Sequence, residues 1–281
     1  MSTEVKVIIG DAPEQLKTLP DGSVNCCVTS PPYFGLRDYG HDGQIGLEAS
    51  PEAFVAKLVD VFREVRRVLR DDGTCWVNLG DSYSGSGRGD NPNGKQSTNA
   101  GTRFKPPTSG QTFGIGAKQL FGIPWRVAFA LQADGWILRQ DIIWHKPNPM
   151  PESVKDRCTK AHEYLFLLAK KPRYWFDANA IREPQKESSL KRLLPGANRR
   201  SVWSICPRPY KGAHFAVFPP ALVEPCIKAG CPAGGTVLDP FGGSGTTGQV
   251  AKSLGRNAIL IELNPAYHDL IRSRLQLLEA C

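Results

Sequence analysis

Two segments constrain this chain more than any others: Thr29-Ser-Pro-Pro-Tyr33 and Asp239-Pro-Phe-Gly-Gly-Ser-Gly-Thr-Thr247. Each follows a short apolar, β-branched run, at residues 24–28 and 236–238, that reads as a buried parallel strand. Each segment therefore falls at the carboxyl end of a strand, where open α/β sheets place their ligands. The first is a rigid Pro-Pro turn carrying a hydroxyl and an aromatic ring. The second is a glycine loop opening a helix.

The rest of the chain alternates strand with helix. Strands are expected at 5–9, 24–28, 75–79, 136–144, 164–169, 236–238 and 258–261, with 136–144 and 164–169 as a closing antiparallel pair. Helices are expected at 13–18, 52–69, 124–133, 221–229, 246–254 and 267–278. The clearest is 52–69, where Phe54, Val55, Leu58, Val61, Phe62, Val65 and Leu69 form one apolar stripe. Such alternation predicts an α/β fold with a doubly wound, mostly parallel, seven-stranded sheet. Two stretches break the pattern. Residues 82–118 hold eight glycines and few apolar residues, which predicts a flexible insertion. Residues 178–213 are basic and weakly periodic.

Charge narrows the partners. Between Arg182 and Lys211 eight basic residues stand against Glu183 and Glu187, so this stretch carries +6 of the chain's net +8. That concentration suits the neutralisation of phosphates on a nucleic acid. No apolar run reaches membrane-spanning length, and the N-terminus lacks the layout of a signal peptide. The eight cysteines form no C-x-x-C pair and the five histidines show no ligand spacing, so reduced cytosolic thiols and no metal are expected.

Gly242 to Gly248 lets the backbone turn sharply off a strand and present bare N–H groups at a helix N-terminus. Glu262 ends the next expected strand, 20 residues after Gly242, where an acid accepts hydrogen bonds from ribose hydroxyls. Together they indicate an adenosine-containing cofactor. The P-loop lysine is missing. Asp239 would repel a pyrophosphate yet welcome the ammonium and sulfonium of S-adenosylmethionine, which favours that methyl donor over NAD. On the other segment, the Ser30 hydroxyl and the Pro31-Pro32 carbonyls can accept hydrogen bonds from an exocyclic amine. Tyr33, followed by Phe34, offers a face for a planar base. Acceptors that pull the amine protons out of plane localise its lone pair, so no cysteine nucleophile is needed.

These segments resemble the motifs of the amino-methylating DNA methyltransferases, which alkylate cytosine N4 or adenine N6. Ser30, Pro31, Pro32 and Tyr33 resemble the catalytic motif. Asp239, Phe241, Gly243, Ser244, Gly245, Thr246 and Thr247 resemble the cofactor loop, and Glu262 the ribose-binding acid. Asp11 resembles the residue contacting the cofactor adenine, and Phe218, in His214-Phe-Ala-Val-Phe-Pro219, the segment closing over the methionine end. Trp144-His-Lys-Pro147 through Arg157 to His162-Glu163 resembles a motif lining the base pocket.

The motif order, catalytic first and cofactor loop last, is that of the β group. It implies a Rossmann-like, circularly permuted class I domain over residues 1–281, with strand 5–9 beside 258–261 and the termini close together. The basic stretch is then the target-recognition segment, with Arg192, Arg199, Arg200 and Lys146 as DNA contacts and 82–118 sharing that role. Serine at position 30, where adenine-specific relatives usually carry Asp or Asn, is similar to the cytosine-N4 enzymes; adenine N6 is the alternative. The resemblance implies S-adenosylmethionine as cofactor and double-stranded DNA with base flipping as substrate. A homodimer and a cognate restriction endonuclease are candidate partners of a cytoplasmic, prokaryotic or phage-encoded enzyme. Glutamine methylation of proteins uses this fold with Asn-Pro-Pro-Tyr, and Ser30 and the basic stretch argue against it. The two intact motifs oppose a non-catalytic DNA-binding module.

Overall fold

The computed structural model describes residues 3–36, 38, 40–41, 43–85, 111–184, 196–207 and 218–276. In chain order its elements are β1 (Val5–Ile9), α1 (Ala12–Lys17), β2 (Val24–Thr29), α2 (Pro51–Val68), β3 (Leu69–Leu79), α3 (Ile123–Ala133), β4 (Ile137–His145) and β5 (His162–Ala169). After a short 3-10 turn at Asn179–Ile181 come β6 (Val202–Ser204), α4 (Pro220–Gly230), β7 (Thr236–Asp239), α5 (Thr246–Ser253), β8 (Asn257–Glu262) and α6 (Tyr267–Gln276).

One sheet holds every strand in the order β1-β8-β7-β2-β3-β5-β4-β6. The first five are mutually parallel, β5 runs antiparallel to both its neighbours, and β6 is parallel to β4. All seven expected strands are present, and β6 makes an eighth. Its three residues carry no readable period; pairing with β4 and the burial of Trp203 (4% exposed) create it. The β3 strand also begins earlier than expected. Leu69 leaves the helix in extended backbone, and a register shift opposite β2 absorbs residues 70–73, so Gly73 lies inside the strand.

Side chains alternate across the sheet as strand geometry requires. Cys27, Val77, Phe166 and Leu168 face a layer built by α1, α2 and α3, around Leu16, Phe54, Phe62 and Leu131. Cys26, Val28, Trp76, Leu165 and Leu167 face α4 and α5, around Val223, Ile227, Val250 and Ala251. Ser50 caps α2 by accepting the Ala53 N–H at 3.1 Å, and Pro51 fills the first turn where no intrahelical partner is needed. None of the described helices is long and apolar enough to cross a membrane.

The permuted closure is present: β1 pairs with β8 along its whole length, and Ile271 and Leu275 of α6 pack with Val5 and Val7. The outermost residues at both ends lie outside the described set. The described ends of the glycine-rich insertion are tied together. Ser84 N–H donates to Gln119 O at 2.7 Å and Lys118 N–H to Ser84 O at 2.8 Å. Phe113 packs 5.0 Å from Phe34, so this part of 82–118 joins the core instead of forming a free loop.

Candidate active site

From β2 the chain crosses through α2 to β3 on one side, and from β7 through α5 to β8 on the other. The β2 and β7 tips are thus the point where the winding reverses, and the loops leaving them part to open a crevice. A cavity of about 1070 Å³ occupies it. Ser30, Pro31, Pro32 and Tyr33 line one wall, and Phe241, Gly243, Ser244, Thr246 and Glu262 line the other. Asp11 and Phe218 complete the second wall.

The glycine loop is shaped by backbone that only glycine adopts cheaply. Gly243 and Gly245 take φ values of +51° and +80°, and Gly245 serves as the cap of α5. Glu262, 9% exposed, holds the loop: Oε2 accepts the Gly243 N–H at 2.7 Å and Oε1 the Asn264 N–H at 2.8 Å. Each oxygen keeps lone-pair capacity for a further donor. Burial pushes the Glu262 carboxyl upward, and the two amides pull it back. Arg274 braces the loop from α6, donating to Ser244 Oγ at 2.8 Å and Thr246 Oγ1 at 3.1 Å. No spacing in the sequence announced that arginine.

Three expected cofactor residues sit behind the cavity wall. Thr247 is fully buried and Gly245 packs under Ile271. Asp239 is 1% exposed, and its carboxylate accepts Thr29 Oγ1–H at 2.7 Å, Thr247 Oγ1–H at 2.6 Å and the Phe241 N–H at 3.1 Å. It straps β2, β7 and α5 together at the tips. That geometry replaces the expected contact with a sulfonium or ammonium, because both oxygens turn inward. Burial, outweighing those hydrogen bonds, raises its carboxyl to about 6.

On the opposite wall Tyr33 O–H donates to Glu163 Oε2 at 2.8 Å, and Ser30 Oγ–H to Asn78 Oδ1 at 3.4 Å. Phe34 does not join the base face: it is 3% exposed among Phe54, Phe113 and Phe121. Gly80 seats the Tyr33 ring, since a Cβ there would meet the ring's Cε2 at 2.4 Å. Gly80→Ala should therefore displace Tyr33 and slow turnover by about 10- to 100-fold with the circular dichroism spectrum unchanged, a misplacement effect. Wild-type turnover in that variant would contradict the seating.

Lys146 pairs with Glu163 inside the cavity and lies 4.3 Å over the Trp144 ring, on the same wall as Tyr33. Lys160 donates to Asp81 O at 2.7 Å, and burial lowers its ammonium below the usual lysine range. Arg199 is half-buried, its guanidinium 4.4 Å over Trp203, so it braces β6 more than it faces solvent. Arg200 is exposed and paired with Glu183. Arg192 lies outside the described residues. No described cysteine lines the cavity, and no described group of three His, Cys, Asp or Glu is placed to hold a metal.

An open, doubly wound sheet with a glycine loop and a shared cavity at its switch point is the architecture of a class I methyltransferase. The family model described as DNA methylase (N6/N4) matches residues 24–273. Over 270 residues the chain is 50% identical to Type II methyltransferase M.SmaI of Serratia marcescens, covering 96% of this chain and 90% of that one. Over 267 residues it is 51% identical to Type II methyltransferase M.Cfr9I of Citrobacter freundii, covering 95% and 86%. Among solved structures it is similar to PvuII DNA methyltransferase (cytosine-N4-specific), with TM-score 0.71, 21% identity, and 98% and 87% of the two chains covered. It is also similar to TTHA0409 of Thermus thermophilus complexed with S-adenosyl-L-methionine, with TM-score 0.64, 26% identity, and 97% and 95% covered. The chain belongs to the N6/N4 DNA methylase family and is a DNA methyltransferase.

Proposed function

We propose that this enzyme transfers the methyl group of S-adenosylmethionine to the exocyclic N4 amine of a cytosine flipped out of double-stranded DNA. One observation carries the reading: the Ser30 turn and the Gly243 loop leave adjacent strands and open on the same cavity. The TTHA0409 structure, named for its S-adenosyl-L-methionine complex, supports the choice of cofactor.

The residues present fit that cofactor. Glu262 keeps acceptor capacity for ribose hydroxyls, and Asp11, in the wall at the end of β1, would accept from an adenine amine. Phe241 and Phe218 supply apolar wall. When bound, the cofactor supplies an electrophilic methyl group on a sulfonium. The protein's share is to hold the amine. Ser30 Oγ and the Pro-Pro carbonyls accept its two N–H bonds, which draws the protons out of the ring plane and localises the lone pair. Tyr33 stacks on the base, whose amine is out of reach inside the duplex. Orientation of this kind supplies much of the acceleration. Ser30 in place of a carboxylate or amide supports cytosine over adenine. The PvuII enzyme carries the cytosine-N4 name on the same fold.

Double-stranded DNA is gripped from the basic segment around β6, with Arg200 as the exposed arginine among its described residues. Arg200→Ala should lower the slope of log Kd for DNA against log salt by about 1, the loss of one phosphate contact. A slope equal to wild type would move the grip elsewhere. The relatives' Type II names support a modification role beside a cognate restriction endonuclease, in a prokaryotic cytoplasm. The test of the proposal is incubation with plasmid DNA and tritiated S-adenosylmethionine. Label is expected in DNA and not in carrier protein; unlabelled DNA would overturn it.

A further inference from the structure

We infer that Glu163 is a positioning residue that fixes both Tyr33 and the Ser30 acceptor through one carboxylate. The inference deepens the proposed function and rests on it for its kinetic consequence only.

Glu163 stands near the start of β5, beside Trp144 of β4 and one residue before Tyr164, which pairs with Leu79 of β3. Its side chain is 15% exposed and reaches into the cavity from the antiparallel half of the sheet. Oε1 takes the ion pair with Lys146. Oε2 accepts Tyr33 O–H at 2.8 Å and Asn78 Nδ2–H at 3.3 Å. Tyr33 also lies 3.3 Å from Asn78 Oδ1, but its single proton goes to the nearer, charged acceptor.

The second arm runs through Asn78, which is 2% exposed. Both its amide protons are taken from β5, one by Glu163 Oε2 and one by Tyr164 O at 3.0 Å. The amide cannot flip without losing both bonds, so Oδ1 is held toward Ser30 Oγ at 3.4 Å. An acceptor at that position draws the Ser30 hydroxyl proton away from the cavity. The Ser30 lone pairs are left facing the substrate, which is what an acceptor for an exocyclic amine needs. Glu163 thus sets the direction of a chain of hydrogen bonds that ends on the Ser30 hydroxyl.

The test has two readouts. In free protein carrying 3-fluorotyrosine, the Tyr33 fluorine resonance is assigned by its disappearance in Tyr33→Phe. Glu163→Ala should shift and broaden that resonance and leave those of the described tyrosines away from the site in place. An unmoved Tyr33 resonance would overturn the inference whether or not the protein methylates DNA. In turnover, Glu163→Ala should lower kcat by about 100-fold with cofactor affinity within about twofold of wild type, the signature of lost orientation. Glu163→Gln, which keeps one acceptor oxygen but loses the charge that Lys146 pairs with, should recover about tenfold of that loss and no more. Should Glu163→Ala fail to fold, the same two readouts on Glu163→Gln decide, with wild-type values in both overturning the role. In a Tyr33→Phe background the Glu163→Ala cost should shrink, and full additivity would show that the carboxylate acts elsewhere. Wild-type protein that transfers no methyl group would count against the proposed function and leave the resonance test standing.

Discussion

Tyr33→Ala should reduce methyl transfer by about 10²–10³-fold, with S-adenosylmethionine affinity within about twofold of wild type. The size follows from two losses. Base–aromatic stacking is worth about 1–3 kcal/mol per base, and each 1.36 kcal/mol is tenfold in rate. Loss of the ring also frees the base to rotate off the Ser30 acceptor, and misplacement of this scale costs up to about 10²-fold more. The cofactor wall is built by other residues, Glu262 and the Gly243 loop, so its affinity should hold. Calorimetric titration together with single-turnover kinetics separates the two terms. A fall in cofactor affinity matching the fall in rate would show that Tyr33 supports the wrong wall.

The second large effect concerns Asp239. Its folded carboxyl is raised from 3.8 to about 6 by burial, so the folded state binds that proton more tightly than the unfolded chain. Stability from this group is therefore fully present below about pH 4 and is lost as pH rises through about 6. At 1.36 kcal/mol per unit, the span corresponds to a loss on the order of 3 kcal/mol. Asp239→Asn should abolish that dependence while keeping the strap. Thr29 and the Phe241 N–H can still donate to the amide oxygen. Thr247 can turn its hydroxyl to Val28 O, 3.3 Å away, and accept from the new amide. Urea unfolding of both proteins from pH 4 to pH 8 reads the difference. Wild-type stability should fall relative to Asp239→Asn across that range. Parallel curves would mean that the carboxylate is not held in the dry position described.

Much of this site was legible in the sequence, for a physical reason. Parallel strands buried on both faces must be apolar runs, and loops at their tips must break the pattern. Residues 24–28 and 236–238 and the turns after them therefore stand out. Residue direction was less legible. Spacing placed Asp239 at a strand tip, yet the neighbouring Thr29 and Thr247 hydroxyls turn its carboxylate away from the cavity. Phe34 follows Tyr33 in sequence, but one step along the turn carries it into the core. Arg199 and Arg200 are adjacent in a basic run; one lies over Trp203 and the other faces solvent, a split that only the short β6 strand explains. The Tyr33–Asn78–Glu163 contacts were hidden altogether. They join residues 130 and 85 positions apart across the β3–β5 register, and no periodicity reports such a pairing.

Methyl transfer by this site requires a donor sulfur and an everted cytosine to meet between the β2 and β7 tips. The most direct measurement supplies S-adenosylmethionine carrying a deuterated methyl group with unmodified duplex DNA, then digests the DNA to nucleosides for mass spectrometry. The deuterated methyl group should appear on deoxycytidine at N4 in wild type, and its rate of appearance should fall by about 10²–10³-fold in Tyr33→Ala. Label on adenine N6 would contradict the assigned base, and label on no nucleoside would contradict the meeting of the two strand tips as a site of methyl transfer.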